Sequence, residues 1–311
     1  LVDGDVVVRR GGPDESQRRR VDHGDFDIVD RDRIGHSTRG LGAVGVWEVG
    51  RVAVPVEVEL LAVLVGLFEF DLPAPNARFL VFVILGGISQ IAGTALLLTL
   101  FDARNFAVGT AYSKTETVQA AIFAIVFLGE TISLAATLGI FISLIGVMII
   151  STARSPATFS SIAHPWLARS AVVGLASGAS FGIAAVSYRG ASLSLEANGF
   201  LVQAAFTLAF VLVLQTLVMA VYMALRNPGE LRDVLAAWRV AIWVGASGAV
   251  GSIGWFTAMT IQNAALVRAL GQIELVFTIG ASVLIFREKI LRLELIGIFL
   301  VVVGIIVLLL R

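Results

Sequence analysis

The chain has no cysteine, two lysines and three histidines in 311 residues, and only 15 % of it is charged. Without cysteine there are no disulfides and no thiolate metal site, and the redox compartment stays undetermined. The histidines (His23, His36, His164) all lie outside the apolar segments, which argues against a histidine-based catalytic or metal centre within them. The net charge is zero, so no basic footprint for nucleic acid is implied. Phosphate loops, paired-cysteine motifs and Ser/His/Asp sets are lacking as well, which leaves ATP-driven transport without support. Neither a cofactor nor a metal is expected.

What is abundant is apolar sequence. Hydrophobic residues make up 57 % of the chain and the mean hydropathy is +0.90, the composition of an integral membrane protein. The charge is unevenly placed: 21 of the 46 Asp, Glu, Lys and Arg residues fall in the first 60 positions. Beyond them, span-length apolar stretches of roughly 20 residues are predicted over 79–101, 106–128, 134–151, 168–188, 200–225, 240–261, 264–286 and 293–310. A shorter run, 60–68, reads as a half helix. Very short links force neighbouring spans into antiparallel hairpins.

The strongest signal is a duplication. Residues 84–146 shifted by 158 fall on 242–304, and about a quarter of the positions are identical. The matches include Gly87/Gly245, Gly93/Gly251, Thr99/Thr257, Asn105/Asn263, Glu116/Glu274, Glu130/Glu288, Gly139/Gly297 and Gly146/Gly304. Apolar sequence can match apolar sequence by chance. Two glutamates and an asparagine at fixed separations are harder to dismiss. Duplicated membrane halves with ionisable groups at mid-depth recur in secondary transporters.

Several residues are candidates for a substrate or ion path. Glu116 and Glu274 stand about ten residues into their spans, roughly 15 Å deep, where a charge is costly and usually faces a polar cavity or a partner. Lys114 is the one lysine in any span. It lies about 200° around the helix from Glu116, so those two cannot pair directly; Glu274 is a possible partner, forming an ion lock between halves, and interfacial snorkelling is the alternative. Arg268 carries the same ambiguity. Tyr112, Ser113, Gln119, Gln90 and Gln272 add donors and acceptors at similar depth.

Other polar residues read as structural. Asn105 and Asn263 look like N-caps. Glu130 and Glu288 sit before the last helix of each copy, favoured there by the helix dipole. Gly174, Gly178 and Gly182 place a packing groove on one helix face, and Gly245, Gly248, Gly251 and Gly254 are expected to pack tightly too.

The repeated block, with Leu128-Gly129-Glu130 closing one helix and Phe286-Arg287-Glu288 at the matching place, resembles the EamA-type carriers of the drug/metabolite transporter superfamily. The resemblance covers about residues 60–311. It implies an all-α polytopic membrane helix bundle of two inverted repeats, ten helices in the family pattern against eight to nine spans here. It also implies a small-molecule substrate, a lipid environment in a bacterial inner (plasma) membrane, and export by alternating access driven by the substrate gradient or by protons. A non-transporting membrane fragment and an intramembrane enzyme are the competing classes. The expected layout is a first repeat at 60–151, a linker at 152–167 and a second repeat at 168–311. Residues 1–59 are expected to be no folded part of the bundle: a disordered tail, or a stretch that replaces the first helices through a wrong reading frame or truncated start. The basic residues between spans place the side opposite the C-terminus in the cytoplasm, whereas the resemblance implies cytoplasmic termini, so orientation stays open.

Overall fold

The computed structural model describes residues 73–101, 106–153, 169–196, 199–226, 228–229, 238–287 and 289–310. The expectations for residues 1–59 and 60–68, for Asn105 and for Glu288 lie outside them. The described residues form ten helices: α1 (Ala77–Phe101), α2 (Phe106–Ser113), α3 (Glu116–Leu128), α4 (Leu134–Thr152), α5 (Arg169–Leu193), α6 (Phe200–Arg226), α7 (Trp238–Ile261), α8 (Ala264–Gly271), α9 (Glu274–Phe286) and α10 (Arg292–Leu309). Among the described residues, six helical segments are long and apolar enough to cross a membrane: Ala77–Leu100, Leu134–Thr152, Arg169–Leu193, Phe200–Arg226, Ala264–Ile285 and Arg292–Leu309. The chain is an all-α polytopic bundle, an integral membrane protein.

The duplication is visible in the helix bounds. Shifted by 158, α2 falls on α8 and α3 on α9 residue for residue, and α4 on α10 within one residue. Equivalent helices also end alike. Gly129 closes α3 at φ 67° and Arg287 closes α9 at φ 54°, both left-handed, a conformation that costs a non-glycine residue roughly 1–2 kcal/mol. The helix starts differ: Ser133 caps α4 by accepting from the Ala136 amide at 3.2 Å, whereas at α10 the buried Glu294 accepts from the Leu291 amide at 2.8 Å.

Two expected continuous spans are interrupted. Between α2 and α3 the chain tightens at Lys114-Thr115, where the amides reach back three residues, Lys114 to Ala111 and Thr115 to Tyr112. Between α8 and α9 the same happens at Gln272-Ile273, through Ala269 and Leu270. Such a 3₁₀ turn inside a helix often marks a functional hinge. No proline stands at either turn, so the sequence carried no helix-breaking signal.

Small residues set the packing. In α4 and α10, a β-carbon on Gly139 would lie 2.7 Å from the Gly304 carbonyl oxygen, and one on Gly146 would lie 2.7 Å from that of Gly297. The pairing of 139 with 304 and 146 with 297 makes these equivalent helices antiparallel, the relation an inverted repeat requires. The row on α5 is as close: a β-carbon on Gly174 would press on the Gly109 carbonyl, and one on Gly178 would come within 2.7 Å of the Ser113 carbonyl oxygen. By contrast nothing lies within 4 Å of a β-carbon built on Gly251 or Gly254. The tight packing expected for those two is not found among the described residues; the α5 row packs because α2 and α3 lie directly against it.

Candidate functional site

Glu116 and Glu274 each stand at the first residue after an interruption, as the opening residue of α3 and of α9. The turn sets each carboxylate at the first residue of a helical segment, Glu116 largely covered and Glu274 exposed. Each is met by a base from the other copy. Lys114 Nζ lies 3.4 Å from Glu274 Oε1, and Arg268 Nη1 lies 3.9 Å from Glu116 Oε1. The bases are not themselves equivalent. Lys114 precedes its own copy's glutamate by two residues and Arg268 by six, and the matching positions hold Gln272 and Thr110. The acids stand at equivalent positions in both copies; each base is present in one copy only.

Around these pairs lies a polar network. Ser143 Oγ donates to Gln272 Oε1 at 2.5 Å, and Gln272 Nε2 faces Thr117 Oγ1 at 3.4 Å, all three residues buried. Gln119 Nε2 donates to Thr115 Oγ1 at 2.8 Å, and Thr115 Oγ1 donates to the Tyr112 carbonyl at 2.6 Å. Arg268 lies over the Trp255 ring at 5.3 Å, a cation–π contact; its Nε is buried without an acceptor, and Gln119 Oε1 is buried without a donor. Two unanswered polar atoms beside two ion pairs describe a site able to take further hydrogen bonds.

Of the sequence candidates, Lys114, Glu116, Gln119, Arg268, Gln272 and Glu274 are brought together here. Ser113 is buried, but its hydroxyl donates to the Thr110 carbonyl of its own helix at 2.8 Å. Tyr112 is buried and joins the network through its carbonyl. Gln90, on α1, is half-buried, and its carbonyl accepts the Thr94 hydroxyl; it takes no part in the hydrogen bonds of this network.

A second cluster sits toward the helix ends. Arg189 Nε donates to Glu130 Oε1, and Nη1 donates to the carbonyls of Met259, Thr260 and Gln262 at 2.7, 3.1 and 2.7 Å. Asn263 Nδ2 donates to Glu130 Oε2, while Asn263 Oδ1 caps α8 by accepting from the Ala265 amide at 2.8 Å. The N-cap role of Asn263 is as expected. Glu130 is not an acid serving the start of α4, a role Ser133 fills; it reaches instead to Arg189 and Asn263 in the other copy. Arg189 was missed because the apolar run ends at Tyr188 and the arginine reads as its interfacial flank. The helix runs on to Leu193, and a lone arginine inside it was the available signal.

One cavity, of about 380 Å³, opens near this end of α7 and α8. Its lining, including Ala258, Ile261, Leu266, Leu270 and Leu308, is mostly apolar.

Residues 168–310 match the model of the EamA-like transporter family. No curated protein matches the chain. Among 23 matching chains of solved structures, one titled only "Crystal structure of protein" is similar at a TM-score of 0.59 and 17 % identity, over 89 % of this chain and 92 % of that one. At that identity the likeness concerns the fold alone.

Proposed function

We propose, on the match of residues 168–310 to the EamA-like transporter family model, that the chain is a secondary carrier that exports a small polar or amphipathic metabolite by alternating access. The observation that carries this reading is the crossed pairing at equivalent positions: Glu116 with Arg268, and Glu274 with Lys114, each acid at an interrupted helix. Interrupted helices with charged groups near mid-depth are how secondary transporters build binding sites between inverted repeats. Contacts that bridge the copies can be exchanged when one copy rocks against the other. Contacts within a copy cannot. The two halves are the repeats at 60–151 and 168–311, joined by the linker at 152–167.

The site holds two acids and two bases together with Trp255, so it suits a compound that carries charge or hydrogen-bonding groups beside an apolar part. Glu116 and Glu274 are also the groups at which protons would couple to movement. The test is uptake and efflux in proteoliposomes across a metabolite panel, with and without a pH gradient. The reading predicts flux above that of empty liposomes for at least one charged or amphipathic compound, lowered by about tenfold or more in Glu116→Gln. Flux equal to that of empty liposomes for every compound contradicts it.

A further inference from the structure

Arg189 and Asn263 also cap the end of α7 and the start of α8, yet with Glu130 they make the densest set of charged hydrogen bonds among the described residues. Glu130 belongs to the first copy, in the turn between α3 and α4. Arg189 on α5 and Asn263 between α7 and α8 belong to the second. A single carboxylate therefore bridges the copies at the end of the bundle where α3, α5 and α7 finish and α4 and α8 begin. The arginine and glutamate side chains are only 13 % and 17 % exposed. Toward the central network lies a plug of small and apolar residues, with Ala120, Ala124, Ala264, Ala265, Ala269 and Met259 all buried in one cluster.

A permanent staple would be satisfied by apolar packing at less cost, since desolvating an ion pair offsets much of its attraction. A contact that must break and re-form needs partners water can solvate when apart. Alanines suit the plug: two helices lined by them meet closely without interlocking side chains and can part again. We infer that Arg189, Glu130 and Asn263 form the gate at this end of the transport path, closed in this structure, and that parting Glu130 from the other two opens the plug to water. The inference rests on the carrier reading above.

The absence of cysteine makes a direct test possible. Ala124→Cys is introduced as a reporter, and labelling by a membrane-impermeant maleimide is timed in right-side-out and inside-out vesicles. Leu310→Cys, at the end of α10, shows which preparation presents the gated face. The gate predicts slow labelling of Ala124→Cys from that face, faster by about tenfold or more when Glu130→Gln or Arg189→Gln is added, as loss of a charge-assisted bond shifts a two-state balance. Arg189→Lys should fall between. An unchanged rate in folded Glu130→Gln overturns the gate. If that variant fails to fold, Arg189→Lys, which keeps the charge, replaces it, and labelling no faster than in the parent Ala124→Cys protein overturns the gate. Labelling that rises with no compound transported leaves the gate and removes the carrier; flux with unchanged labelling does the reverse.

Discussion

Glu116 and Glu274 hold equivalent places in the two copies, yet their side chains are 17 % and 60 % exposed. The difference lies in what covers them. Helix α5 lies against α2 and α3, with Gly178 and Gly182 so close that β-carbons there would press on the backbone of Ser113, Glu116 and Ala120. The region equivalent to α5, residues 11–35, holds 12 charged residues and is no apolar span. The same contrast appears at Gly93, which meets the Phe181 ring, and its equivalent Gly251, which meets nothing within 4 Å among the described residues. One copy is clasped by a glycine-rich helix that has no counterpart among the described residues of the other. Pseudo-symmetry in sequence does not guarantee equal environments, because an environment is set by what packs alongside.

The largest effect that would break this comparison is steric. Gly146→Leu forces a side chain into the Gly297 carbonyl and should destabilise by about 3 kcal/mol, whereas Gly251→Leu should be neutral, or stabilising by up to about 0.8 kcal/mol through helix propensity. Thermal unfolding in detergent measures both. Destabilisation by Gly251→Leu would show that a partner occupies that face. Next comes the pair of acids. Glu116→Gln leaves a partly buried guanidinium without its counter-ion and should lower flux by about tenfold or more, while Glu274→Gln, in the more exposed pair, should lower it by roughly two- to threefold. Equal losses would mean that the difference in covering is irrelevant to transport. The smallest effect is at the matched helix ends: Arg287→Gly should raise stability slightly, by about 0.5–1 kcal/mol, because it removes a left-handed non-glycine residue. Gly129→Ala, at the equivalent position, should lower it. Unfolding of these two variants side by side checks the sign.

The large-scale arrangement was legible in the chain. An apolar run of span length has few alternatives to a helix, and the duplication located the equivalent elements from glycines and glutamates alone. The α5 groove was legible because glycines four apart share one face. The interruptions were not, since each rests on amides reaching three residues back at Lys114-Thr115 and Gln272-Ile273, which no residue type there demands. The partner of Lys114 was legible as a possibility, because Glu116 is excluded by helix geometry. Arg268 with Glu116, and Glu130 with Arg189 and Asn263, are contacts between copies 59 to 152 residues apart in sequence, set by tertiary packing that periodicity does not encode.

The central claim is that acids and bases from opposite copies meet across the path and that transport depends on their meeting. Charge exchange tests it most directly, in proteoliposomes with a compound the panel shows to be carried. Lys114→Glu and Glu274→Lys should each reduce flux by about tenfold, by setting like charges face to face. The double variant, which restores the pair in reverse, should recover most of the loss. A double variant no more active than the worse single one would contradict the account.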